Sequence, residues 1–184
     1  MTKRFFLMAL AFALLSGPAY ADDYNERKSL QLINSISEEV RQYSRFTIFD
    51  DVRVGVAEDN VVVLSGKVTM PFKRDDIERV VSRVPGVTAV RNELTVLPTS
   101  PFDDELRYRI ARAIYGHSAF WHYAAMANPP IHIIVERGHV TLTGVVTSNV
   151  ERMLARSLAT TFGAFSVKNE LKTDAEMRAM AERI

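Results

Sequence analysis

The sequence predicts an α+β protein of two tandem α-β-β-α-β units, each a three-stranded mixed sheet covered on one face by two helices. Three observations carry this. "VVVLSGKV" at 61–68 returns 78 positions later as "HVTLTGVV" at 139–146, with Gly66 and Gly144 in matching places. A second echo follows each, "VRNELTV" from Val90 and "VKNELKT" from Val167. Between the echoes the apolar period switches from alternation, the mark of a half-buried strand, to three-and-four spacing, the mark of a helix.

The chain begins with a segment that stands apart from the fold. Lys3 and Arg4 precede an apolar run from Phe5 to Leu15, then Ser16-Gly17-Pro18 and a small-x-small site at Ala19-Tyr20-Ala21. This is the pattern of a signal peptide cleaved after residue 21. Its apolar core of about 11 residues falls short of the roughly 20 a bilayer span needs. No cysteine follows it, so the exported product is not a lipoprotein. No later apolar run escapes interruption by charge, so the mature chain has no transmembrane span.

After a lead at 22–28, the first unit occupies 29–98. Leu32, Ile33, Ile36, Val40 and Tyr43 form a helical stripe. Val52, Val54 and Val56 alternate, "EDN" turns the chain, and Val62 and Leu64 resume the alternation, which reads as a hairpin. Pro71 suits a first helical turn, and Phe72, Ile77, Val80, Val81 and Val84 supply an apolar stripe. Pro85-Gly86 stops that helix, and Val90, Leu94 and Val96 share a face of the closing strand.

Residues 99–102 form a linker and the second unit runs over 103–173. Asp103 or Asp104 is the expected cap of a helix carrying Leu106, Ile110, Ala113 and Ile114. A long connection, "YGHSAFWHYAAMANPP", leads to a hairpin of Ile131, Ile133 and Val135 with Val140 and Leu142. Ser148 and Glu151 make a capping box ahead of Val150, Leu154 and Leu158. Gly163 is the expected stop. A short helix at 174–184, with Met177, Met180 and Ile184 on one side, ends the chain.

Composition removes several function classes. Loss of residues 1–21 takes away Lys3 and Arg4 and no acid, turning a formal charge of +1 into about −1. That balance argues against general affinity for nucleic acid. The element order echoes part of a KH unit, but the GXXG clamp of that module is missing. The absence of cysteine excludes thiol chemistry. The four histidines, His117, His122, His132 and His139, lack metal-ligand spacing and read as surface or loop residues; no metal or other cofactor is expected. Ser65 has no histidine in its own unit to act as base, and Asp75-Asp76 and Asp103-Asp104 read as helix-dipole partners, so no catalytic residue is assigned.

V-x-L-[ST]-G-x-V followed by [RK]-N-E-L, written twice behind an export signal, resembles the BON family, the small modules of osmotically induced and envelope-associated bacterial proteins. The residues that carry it are Val62, Leu64, Ser65, Gly66 and Val68, with Gly86, Val90, Asn92 and Leu94. In the second copy they are Val140, Leu142, Thr143, Gly144 and Val146, with Gly163, Val167, Asn169 and Leu171. The resemblance implies a periplasmic, non-enzymatic protein whose partner is anionic phospholipid or another envelope component. Docking on a membrane surface in support of envelope integrity or stress tolerance is the leading expectation; a protein or cell-wall adaptor is the alternative.

The residues themselves point to two groups. Asn92 and Asn169 share the phase of apolar neighbours, so their amides are expected to tie strand to helix. Tyr115, Phe120, Trp121, Tyr123 and Met126 gather the aromatic and soft apolar groups of the long connection. Such side chains suit a boundary between water and hydrocarbon. Arg109 and Arg112 on the preceding helix, with Arg107, Arg152 and Arg156 nearby in sequence, offer charge for anionic headgroups.

Overall fold

A computed structural model describes residues 19–160 and 163–181, with side chains from residue 28 onward. The expected signal segment falls, over residues 1–18, outside the described residues, as does Ile184.

The first unit comprises α1 (Ala19–Gln42), β1 (Asp51–Val56), β2 (Val61–Val68), α2 (Pro71–Val81) and β3 (Ala89–Val96). The second comprises α3 (Pro101–Tyr115), a short α4 (Trp121–Ala124), β4 (Ile131–Glu136), β5 (His139–Val146), α5 (Asn149–Thr160), β6 (Ser166–Asn169) and β7 (Lys172–Thr173). A final helix, α6 (Asp174–Ala181), follows. Each sheet joins an antiparallel hairpin to a parallel third strand, in the order β1-β2-β3 and β4-β5-β6. The extra strand β7 continues the line of β6 beside β5 after a break at Glu170 and Leu171. Its register repeats the first unit: Leu64 faces Asn92 as Leu142 faces Asn169.

Each core lies between sheet and helices. Leu32, Ile36 and Val40 of α1 and Ile77 and Val81 of α2 meet Val62, Leu64 and Val68. In the second unit Leu106, Ile110 and Ile114 of α3 and Ala155 and Ala159 of α5 meet Val140, Leu142 and Val146. The hydroxyl of Tyr43 closes α1 onto α2 by donating to Asp76 at 2.7 Å. Burial, and then that carboxylate, push the phenol up to about 12.

The second helix of each unit corrects the expected stripe. Its inward positions are Lys73, Ile77 and Val81 in α2, and Glu151, Ala155 and Ala159 in α5, all at four-residue spacing. The first inward position is charged in both, so the expected stripes begin one residue too early, at Phe72 and Val150. Both of these are exposed, while Ile77, Val81 and Val84 are buried as expected and Leu154 and Leu158 pack against the core. Two capping assignments also change. Ser100, not Asp103 or Asp104, caps α3, its hydroxyl accepting from the Asp103 N–H at 3.2 Å. Asp103 turns inward and accepts from the N–H groups of Arg137 and Gly138, which pins the β4–β5 turn. Asp75 and Asp76 fall beyond the first turn of α2, which opens instead with Pro71.

The units are joined through the segment between α1 and β1. The Asp50 carboxylate is fully buried and gathers five donors: the N–H and hydroxyl of Thr47, the same pair from Thr69, and the Lys73 ammonium at 2.6 Å. The turn so fixed presents its carbonyls to the second unit. Ile48 O accepts from Ile133 N–H at 2.7 Å, and Asp50 O lies 2.6 Å from His132 Nδ1. His132, expected at the surface, is thus part-buried in the joint, with Phe46 against its ring. Burial pulls its pKa below the ordinary value, although nearby carbonyls and the carboxylates of Asp51 and Asp50 pull the other way. Thr143 is also buried here, its hydroxyl donating to Asp51 at 3.0 Å.

Candidate functional site

The long connection of the second unit divides its residues between core and surface. Phe120 is fully buried, Tyr123 nearly so, and both join the core of that unit. Tyr115 has a structural task at the sheet edge. Its hydroxyl donates to Ile131 O at 2.5 Å and accepts from Ile131 N–H at 3.1 Å. With Ile48 O on Ile133 and the Arg107 guanidinium on Val135 O, it closes the outer edge of β4, which would otherwise invite strand pairing. Desolvation pushes the Tyr115 phenol well up, so it stays neutral in this role.

Trp121 and Met126 turn outward, and Trp121 is 65% exposed. The indole N–H donates to Gly116 O at 3.3 Å, which lays the ring beside the C-terminal end of α3. Arg112, one turn back along α3, is exposed and makes no ion pair among the described residues; Arg109 is engaged by Glu105 at 2.7 Å. Short α4 is fastened to the first turn of α5. The Tyr123 hydroxyl donates to Glu151 at 2.8 Å and accepts from Thr147 N–H at 2.9 Å. This brings Trp121 and His122 to the end of the unit where Val150 lies.

The outer face of α5 completes the patch, with Val150, expected on the inward stripe, as its key member. Val150 is 74% and Met153 72% exposed, one turn apart, with Arg156 a further turn on. Arg152 is bound by Glu176 of α6 at 2.8 Å, while Arg156 makes no ion pair among the described residues. The one carboxylate of α5, Glu151, is withdrawn beneath the patch. Burial pushes its carboxyl up, but hydrogen bonds from Tyr123 and Thr147 outweigh this and hold it below the usual carboxylate range. The matching helix of the first unit is different: its outer face mixes Phe72 and Arg74 with Asp75 and Glu78.

The repeat's own signature residues are structural in their contacts. Asn92 Nδ2 donates to Arg74 O at 3.0 Å and Asn169 Nδ2 to Arg152 O at 2.8 Å, each tying the third strand to the second helix. Each side-chain oxygen then accepts the N–H two residues on, at Leu94 and Leu171. Gly66 and Gly144 adopt φ of +121° and +111°, and a β-carbon on either would collide with a carbonyl at the start of the hairpin, of Asp51 or Pro130. Gly86 and Gly163 also have positive φ, in the loops that precede β3 and β6.

A concavity of about 420 Å³ lies between the helix-free sheet faces. Its charges are matched within the chain: Arg53 with Asp51 and Glu170, Lys168 with Glu170, Lys67 with Glu136, and Glu93 with Arg91. It reads as the polar seam of the joint. No cluster of three or more potential metal ligands occurs among the described residues, and no described helix is long and apolar enough to cross a membrane.

Comparison with solved structures finds weak likeness to CdsD, a structural protein of the type III secretion system of Chlamydia trachomatis. Its C-terminal domain is 15% identical, with 77% of this chain and 96% of that chain covered at a TM-score of 0.30. A further CdsD structure is 16% identical, covering 84% and 99%, at 0.29. A comparison with curated proteins finds no match. The family model of the BON domain, by contrast, matches residues 34–98 and 121–175. Together with the repeated register, glycine and asparagine contacts, these two matches establish that the chain belongs to the BON domain family, as two tandem copies.

Proposed function

We propose that this is a non-enzymatic periplasmic protein that docks reversibly on anionic phospholipid through its second BON domain, in support of envelope integrity. BON-domain proteins are typically periplasmic or envelope-associated and generally non-enzymatic, which supplies the setting. The observation that carries the lipid reading is the exposed group Trp121, Val150 and Met153, accompanied by Arg112 and Arg156, which make no ion pair among the described residues, and by the withdrawn carboxylate of Glu151. Apolar groups of this size gain from entering the headgroup boundary, and each arginine near an anionic surface adds about 1 kcal/mol. A mature charge near −1 makes the attraction local rather than global.

Flotation of the mature protein with vesicles tests this. Phosphatidylglycerol vesicles should carry it at low salt and phosphatidylcholine vesicles should not. Met153→Asp should abolish flotation and Arg156→Ala should weaken it about fivefold, one charge's worth, with the fold unchanged by circular dichroism. No flotation at low salt would sink the proposal and favour a protein or cell-wall adaptor.

A further inference from the structure

His122 lies within the proposed docking patch, next to Trp121 in the chain, and is about half exposed. Its Nε2 is 3.9 Å from Glu151 Oε1, and its ring packs on that of Tyr123 with centroids 3.8 Å apart. Glu151, from the first turn of α5, is the carboxylate that faces it, and Tyr123 is the titratable neighbour from α4. Burial and the hydrogen bond to Glu151 raise the Tyr123 phenol, so it stays neutral. Unpaired, the Glu151 carboxylate is a net negative charge under the patch.

We infer that His122 is an acid-sensitive control on this surface: its protonation neutralises Glu151 and strengthens docking on an anionic bilayer. The inference rests on the lipid-docking reading above and adds to it a regulation. An imidazole changes charge between pH 5 and 8, whereas phosphatidylglycerol phosphodiesters stay ionised throughout. Glu151 also stays ionised in that window, because its carboxyl is held below the usual range. Of the other histidines, His132 lies in the joint between units and His139 on Ser166 at the hairpin, while His117, at the same end as His122, caps the turn ahead of Phe120 by accepting from Ala119 N–H.

The test is binding of the mature protein to phosphatidylglycerol vesicles at pH 5.5 and 7.5, at constant ionic strength, for wild type and His122→Gln. The wild type should bind about fivefold more tightly at pH 5.5, the effect of one elementary charge near an anionic surface. His122→Gln should bind with equal strength at pH 5.5 and pH 7.5, the acid gain being lost. A gain that survives in His122→Gln, or a wild type indifferent to pH, overturns the role of His122 and leaves docking intact. Absence of binding by both proteins at both pH values overturns the docking reading, and this inference with it.

Discussion

Gly144 shows how much a single position can carry. At φ of +111°, with the Pro130 carbonyl lying where a β-carbon would go, an alanine there must both strain the backbone and push the start of β4 away. Gly144→Ala should therefore cost about 3 kcal/mol or more in urea unfolding, combining left-handed strain of about 1–3 kcal/mol with displaced backbone. Gly55→Ala, in β1 outside the left-handed region and with only an ordinary contact to Val63 O at 3.9 Å, should change stability by less than about 1 kcal/mol. Equal losses at both sites would show that close approach is not what fixes Gly144. These glycines and the paired Asn92 and Asn169 were legible in the sequence because each recurs at the same place in a second copy. Lys73 and Glu151 were not. A charged residue at an inward position is readable only when its partner is known, and those partners, Asp50 and Tyr123, come from 23 and 28 positions away. His132 was misread for the same reason, since the carbonyl that meets it belongs to the other unit.

At the level of elements, alternation and helical spacing delivered three strands in each unit and the main helices but not β7, and the connection between α3 and β4 gave no regular period to read. Its order comes from two hydroxyls. Tyr115 closes the β4 edge, and Tyr123 joins α4 to α5 through Glu151 and Thr147. The box expected from Ser148 and Glu151 forms in altered shape: Ser148 accepts from Glu151 N–H at 3.3 Å, while the Glu151 carboxylate reaches Thr147 N–H at 3.0 Å. Tyr123→Phe should cost about 1–2 kcal/mol, because Glu151 loses a donor in a part-buried place. Its pH dependence has a fixed sign. The Glu151 carboxyl lies lower in the folded than in the unfolded state, so its contribution is complete above the ordinary value of 4.5 and is lost as pH falls through the depressed folded value. Tyr123→Phe moves the folded value back toward 4.5, so wild type and variant should converge in stability under acid. A gap in urea midpoint that stays constant from pH 7 to pH 3 would show that the hydroxyl acts by packing alone.

For the whole molecule the decisive feature is that the knot around Asp50 serves two purposes. It satisfies a buried carboxylate inside the first unit, and it aims Ile48 O and Asp50 O at β4 and His132 of the second. Damage to the knot should therefore be felt across the joint. Lys73→Met removes the cation from a fully buried carboxylate, a change that typically costs about 3–5 kcal/mol. The chain has a single tryptophan, Trp121, which belongs to the second unit, so its fluorescence reports that unit alone. In Lys73→Met the Trp121 unfolding midpoint in urea should shift down together with the far-ultraviolet transition of the whole chain. A Trp121 midpoint equal to wild type, beside a weakened first unit, would show that the two domains unfold independently and that the joint contributes little. Acid should act on the same joint through His132. Its folded pKa is depressed by burial, so the neutral ring's contribution is whole above the unfolded value of about 6.5 and declines as pH falls toward the folded value. His132→Asn keeps a side-chain donor for Asp50 O but cannot take up a proton, and its Trp121 midpoint should vary less with pH below 6.5 than that of the wild type. An unchanged pH profile would remove His132 from the joint's energetics and leave the Ile48 hydrogen bond and the ion pairs of the seam to hold the domains together.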